Sequence, residues 1–63
     1  NISKNLKKMR ETKGLSQEKL ARLADVANNT IIKIEGGKNQ NPTLDTLNKI
    51  AKALEISVDD LIN

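Results

Sequence analysis

"GLSQEKLARLADVANNTIIKIEGG", Gly14 to Gly37, holds two short helical patterns separated by three residues. Gly14 follows Lys13 and suits the left-handed position that closes a helix. Ser16 is a capping residue, and Glu18 sits in the first turn, where negative charge is favoured. Leu15 before the cap and Leu20 four residues after it form a hydrophobic staple. Val26 and Ile31 repeat that staple around Ala27, which has no capping side chain. Moving the cap to Asn28 would pair Ala27 with Ile32, a poorer contact that buries the wrong face. The second helix therefore starts after an uncapped Ala27, and the side chains of Asn28 and Asn29 are left free.

The link Asp25–Ala27 is short enough to force its two helices to cross steeply. Ala21 and Ala24 permit a close crossing, with Leu20, Val26, Ile31 and Ile34 meeting inside. On the far side of the later helix lie Asn28, Asn29, Ile32, Lys33 and Gly36. That face carries two amides and one cation and no acid, provided Glu35 points elsewhere. Its chemistry suits base edges. Asn bonds adenine through N6 and N7, an apolar group touches a thymine methyl, and Lys reaches guanine or a phosphate. Gln17 is expected beside the entry of this helix, its backbone N–H open to a phosphate.

Outward from this stretch the apolar spacing stays helical. Ile2, Leu6 and Met9 mark a first helix, and Leu44, Leu47, Ile50, Ala51 and Leu54 a fourth. Pro42–Thr43–Leu47 and Ile56–Ser57–Leu61 are two more staples with caps, and Asp60 occupies the capping-box position. Helices are predicted over 2–13, 17–24, 28–35, 44–54 and 58–62, with Leu61 and Ile62 in the core or at a dimer contact. The loop 36–42 is the longest break. Nothing alternates with period two, so the fold class is all-α.

The 63 residues suit a single domain, 1–63, with a thin core. There is no Cys, His or aromatic residue, so disulfides and thiolate metal sites are excluded and acid–base catalysis has few players. Ser16, Thr43 and Ser57 read as caps and not as nucleophiles, since no general base accompanies them. Asp59 and Asp60 read as first-turn acids, too few for a hard-cation site. "GGK" at Gly36–Lys38 lacks the rest of a phosphate loop. No apolar run reaches the roughly 20 residues of a membrane span, and no signal-peptide pattern opens the chain. Charge is uneven. Residues 1–38 hold nine cations and four acids, net +5, whereas residues 39–63 hold two cations and four acids, net −2. A polyanion facing one side and a merely solvated lysine face both fit this distribution.

These motifs resemble the phage-repressor-like (Cro/repressor, Xre-type) helix-turn-helix domain over essentially the whole chain. "LSQEKLA" at Leu15–Ala21 is similar to the family's helix 2 signature, and "NNTIIKIEGGK" to its recognition helix and exit. "NPTLDTLNKIAKALEISVDDL" is similar to its last two helices. The resemblance implies a five-helix lambda-repressor-like DNA-binding domain, with the helix-turn-helix formed by helices 2 and 3. It implies a transcriptional regulator, usually a repressor, bound as a homodimer to near-palindromic double-stranded DNA in the cytoplasm. Gln17, Asn28, Asn29 and Lys33 match positions that touch bases or adjacent phosphates in the family, and Thr30 and Ile32 match more weakly. Lys38, Asn39 and Gln40 match a loop that lies along the DNA backbone. Arg10 matches a position that pairs with the counterpart of Glu35, and Leu23 matches a helix 2 position that is often polar, which implies that it is partly exposed. No cofactor, metal, membrane or small-molecule ligand is implied. Two departures stand out: Asp25 replaces the family's turn glycine, and Ala27 replaces its capping hydroxyl. The same DNA-binding domain also serves antitoxin autoregulators, and the same fold serves as a protein-interaction module in coactivator bridging proteins, so both remain alternatives.

Overall fold

All five helices begin at the predicted residue. In the computed structural model, which describes residues 1–63, α1 spans Ile2–Thr12, α2 Gln17–Ala24, α3 Asn28–Glu35, α4 Leu44–Leu54 and α5 Val58–Ile62. Ser16, Thr43 and Ser57 each accept a hydrogen bond from the backbone N–H three residues on, and Ser57 and Asp60 form a reciprocal capping box. Asn1 caps α1 in the same way, a role its sequence position alone did not announce. Helix α1 stops one residue early, at Thr12, with Lys13 as its C-cap.

Three of the junctions share one geometry. Gly14, Asp25 and Glu55 are left-handed, with φ of 70°, 59° and 59°. Each is followed by an apolar residue whose N–H returns to the carbonyl five residues back: Leu15 to Arg10, Val26 to Ala21 and Ile56 to Ala51. This is the bonding of a Schellman termination. Leu15, Val26 and Ile56 then pack on the core as the leading residues of the next staples. One apolar residue thus closes one helix and opens the next. Only Gly14 is free of the roughly 1–2 kcal/mol that a left-handed backbone costs an ordinary residue. Asp25, which stands where the resembled family has its turn glycine, takes this conformation, and so does Glu55, although nothing in its side chain favours it.

The core contains Leu6 of α1, Leu20, Ala21 and Ala24 of α2, Ile31 and Ile34 of α3, Ile50 and Leu54 of α4, and Leu61 of α5. Helix α2 packs on α3 and α4, α1 on α3 and α5, and α4 on α5. No buried side-chain nitrogen or oxygen lacks a partner. The Ser3 hydroxyl donates to the Ile34 carbonyl at 2.7 Å, and Asn5 Nδ2 to the Leu61 carbonyl at 3.0 Å. Helix α1 therefore satisfies carbonyls near the ends of two other helices, which have no intrahelical donor. No helix is long and apolar enough to cross a membrane.

Two apolar expectations need correction. Leu44 belongs to the apolar spacing of α4 yet is 66% exposed. It is the first helical residue, Leu47 one turn later is half-buried, and only Ile50, Ala51 and Leu54 are covered. Ile62 is 44% exposed, because a five-residue helix offers one inward position and Leu61 takes it. Leu23 is exposed as predicted.

Candidate nucleic-acid interface

Helix α3 leaves the turn through Ala27, whose backbone is extended (φ −66°, ψ 144°) and whose side chain makes no cap bond. The cap therefore stands at Ala27, as the staple required. Asn28, Asn29, Ile32, Lys33 and Gly36 are exposed along one side of α3, while Ile31 and Ile34 are buried on the other. Thr30 is half-buried at the edge of this face, and its N–H bonds the Ala27 carbonyl at 2.9 Å. The side chains of Asn28, Asn29 and Lys33 remain available to a ligand.

The face is free of acid because Glu35 is held elsewhere. Arg10 Nε donates to Glu35 Oε2 at 2.7 Å and Nη2 to Oε1 at 3.1 Å, a two-pronged charge-assisted pair. Arg10 Nη1 donates to the Leu15 carbonyl at 2.6 Å, and Gln17 Nε2 to Glu35 Oε1 at 3.1 Å. This cluster ties α1, the α1–α2 turn, the start of α2 and the end of α3 into one unit. It holds α3 at a defined angle while removing the only negative charge of that helix from its exposed side.

The side chain of Gln17, expected beside the entry of α3, bonds Glu35 at the end of that helix. Glu35 is about 10 Å along the helix axis from Asn28. The side-chain nitrogen of Gln17 is engaged by Glu35, which leaves its backbone N–H at the first position of α2 and its amide oxygen. In the loop after α3, Lys38 and Gln40 are exposed and Asn39 is half-buried. The N–H groups of Lys38 and Asn39 both return to the Lys33 carbonyl. Asn39 Oδ1 accepts from the Asn41 N–H at 3.1 Å, and Gln40 Nε2 donates to the Gly37 carbonyl at 3.2 Å. Those two amides shape the loop, and the Lys38 ammonium is its free charge.

The empty cap gives a stability prediction. Ala27→Ser should raise stability by about 0.5–2 kcal/mol, since a hydroxyl there can accept a backbone N–H in the first turn of α3. Urea unfolding followed by helical circular dichroism measures it. An unchanged midpoint would show that water already caps the helix as well as serine does.

The family model described as "Helix-turn-helix" matches residues 6–61. The transcriptional regulator SinR of Bacillus licheniformis is 36% identical over 62 residues, covering 98% of this chain and 56% of that protein, so the chain spans little more than half the length of this full-length relative. The crystal structure of SinR, the master regulator for biofilm formation, in complex with DNA superposes with a TM-score of 0.96 at 33% identity, covering all of both chains. The restriction-modification controller protein C.AhdI of Aeromonas hydrophila superposes with a TM-score of 0.89 at 35% identity, over 95% of this chain and 89% of that one. Signature, five-helix architecture, family match and relatives agree: the chain belongs to the helix-turn-helix family, of the Xre (Cro/repressor-like) type.

Proposed function

We propose that this chain binds double-stranded DNA sequence-specifically, as the DNA-binding domain of a transcriptional regulator that acts as a repressor. The observation that carries this reading is the exposed, acid-free side of α3, with two unengaged asparagines and a lysine over a helix that Arg10 and Glu35 clamp in place. It is supported by relatives that are transcriptional regulators and by the solved complex of SinR with DNA. Helix α3 enters the major groove, where Asn28, Asn29 and Lys33 meet base edges, Ile32 meets a thymine methyl and Thr30 lies at the margin. Lys38 and the backbone N–H of Gln17 meet phosphates, with Asn39 and Gln40 holding the loop along the strand. Two copies on a near-palindromic site place their α3 helices about 34 Å apart.

Selection of bound sites from random duplexes should enrich one sequence; an unenriched pool would sink the reading. On the selected site, Asn29→Ala should lose about 1–3 kcal/mol and relax the preference at one base position, whereas Lys38→Ala should weaken all sequences alike. Titrations over a salt series should show affinity falling steeply, with a shallower slope for Lys38→Ala.

A further inference from the structure

Helix α1 carries a cationic stripe that the proposed interface does not use. Lys4, Lys7 and Lys8 are exposed and, with Glu11 and Thr12, line a shallow depression containing no apolar residue. None of the three lysines takes part in any of the four ion pairs of the chain, which join Arg10–Glu35, Lys13–Glu55, Arg22–Glu18 and Lys49–Asp45. The stripe works against the stability of its own helix. Lys4 faces Lys7 and Lys8 at i+3 and i+4, spacings at which like charges repel. Lys4 also stands in the first turn of α1, which holds no acid and where the helix dipole disfavours a cation. Glu11 is four residues after Lys7, the weaker order for a helical pair. Elsewhere the molecule interleaves its charges, with Glu18–Arg22 on α2 and Asp45–Lys49 on α4. A role in folding does not account for the α1 stripe.

Its surroundings narrow the partner. The apolar side of α1 is turned inward through Ile2, Leu6 and Met9, so it has nothing to insert into a membrane. The stripe has no apolar or aromatic anchor of the kind that centres a protein–protein interface. Lysines without amides or guanidinium groups bind phosphates as point charges and read no sequence. Ser3 and Arg10 bond groups of α3 and Asn5 bonds α5; Lys4 and Lys8 project outward between those two sides of α1, and Lys7 lies at the stripe's edge toward α3.

We infer that Lys4, Lys7 and Lys8 form a second, sequence-independent contact for the phosphates of another DNA duplex, so that the domain joins two segments of DNA. This rests on the DNA-binding reading above. The test mixes donor- and acceptor-labelled copies of the selected duplex at low salt and measures energy transfer between duplexes. Wild-type protein should bring them together. The triple variant Lys4→Gln/Lys7→Gln/Lys8→Gln should lose about tenfold of that transfer while binding a single duplex within about twofold of wild type. Lys49→Gln/Lys52→Gln, which removes charge elsewhere, should retain it. The proposal is overturned if wild type leaves the duplexes apart, if the triple variant still joins them, or if both variants lose transfer equally. It is also overturned if the triple variant loses affinity for a single duplex, because the lysines would then contact the same DNA as α3. Failure of the DNA-binding reading shows separately, as a selection that enriches nothing.

Discussion

Glu35→Ala should unfold a large share of the molecules at room temperature. The side chains of Arg10 and Glu35 are only 12% and 5% exposed, and their contact is two-pronged. Removing one partner of a buried pair costs about 3–5 kcal/mol, because the other charge is left uncompensated. A chain of 63 residues at about 0.05–0.15 kcal/mol per residue has roughly 3–9 kcal/mol in all. The three other pairs involve exposed side chains and belong to the class worth about 0–1 kcal/mol. Urea unfolding should therefore separate Glu35→Ala sharply from Glu18→Ala or Asp45→Ala. The double variant Arg10→Met/Glu35→Leu should recover much of the loss, since it removes both charges together. A Glu35→Ala midpoint as close to wild type as that of Glu18→Ala would show that the cluster is not a structural clamp.

The pair gives little pH dependence from the arginine side. Its hydrogen bond to Glu35 raises the Arg10 pKa above the ordinary value, against burial, which lowers it. A cation whose pKa is raised on folding contributes stability in full below its unfolded pKa. That contribution is lost only as pH rises through the folded value, in strongly alkaline solution.

Ile31→Ala should cost about 2–5 kcal/mol, whereas Ile32→Ala should stay within about 0.5 kcal/mol of wild type. Ile31 is fully buried and lies under the first turns of α3, against the staple residue Val26 and the α2 packing surface. Ile32, its neighbour, is 42% exposed on the opposite side. Their effects on DNA should be the reverse for molecules that remain folded: Ile32→Ala should weaken discrimination at a thymine, and Ile31→Ala should not. Thermal unfolding and binding to the selected site measure the two quantities. Equal destabilisation by both substitutions would mean that α3 is rotated from the register described here.

That register was legible in the chain itself. Caps, staples and left-handed stops relate residues no more than six apart, and such relations hold wherever the helix later packs. Ser16, Ala27, Thr43 and Ser57 therefore stand where the sequence put them, and so do the buried and exposed sides of α3. The Arg10–Glu35 pair was anticipated by family resemblance, since nothing in a spacing of 25 residues announces a contact. The fates of Gln17, Leu44, Ile62 and Glu55 were not legible. Gln17 bonds Glu35 across 18 residues, a contact that no local spacing announces. Leu44 is exposed although it opens the apolar spacing of α4, and Ile62 because α5 is too short to bury two sides. Glu55 is left-handed because Ile56 must reach both the Ala51 carbonyl and the core. Local chemistry specified which face each helix would bury. Where each end of a helix came to rest depended on how five short helices share one core, a constraint that no neighbouring residue carries.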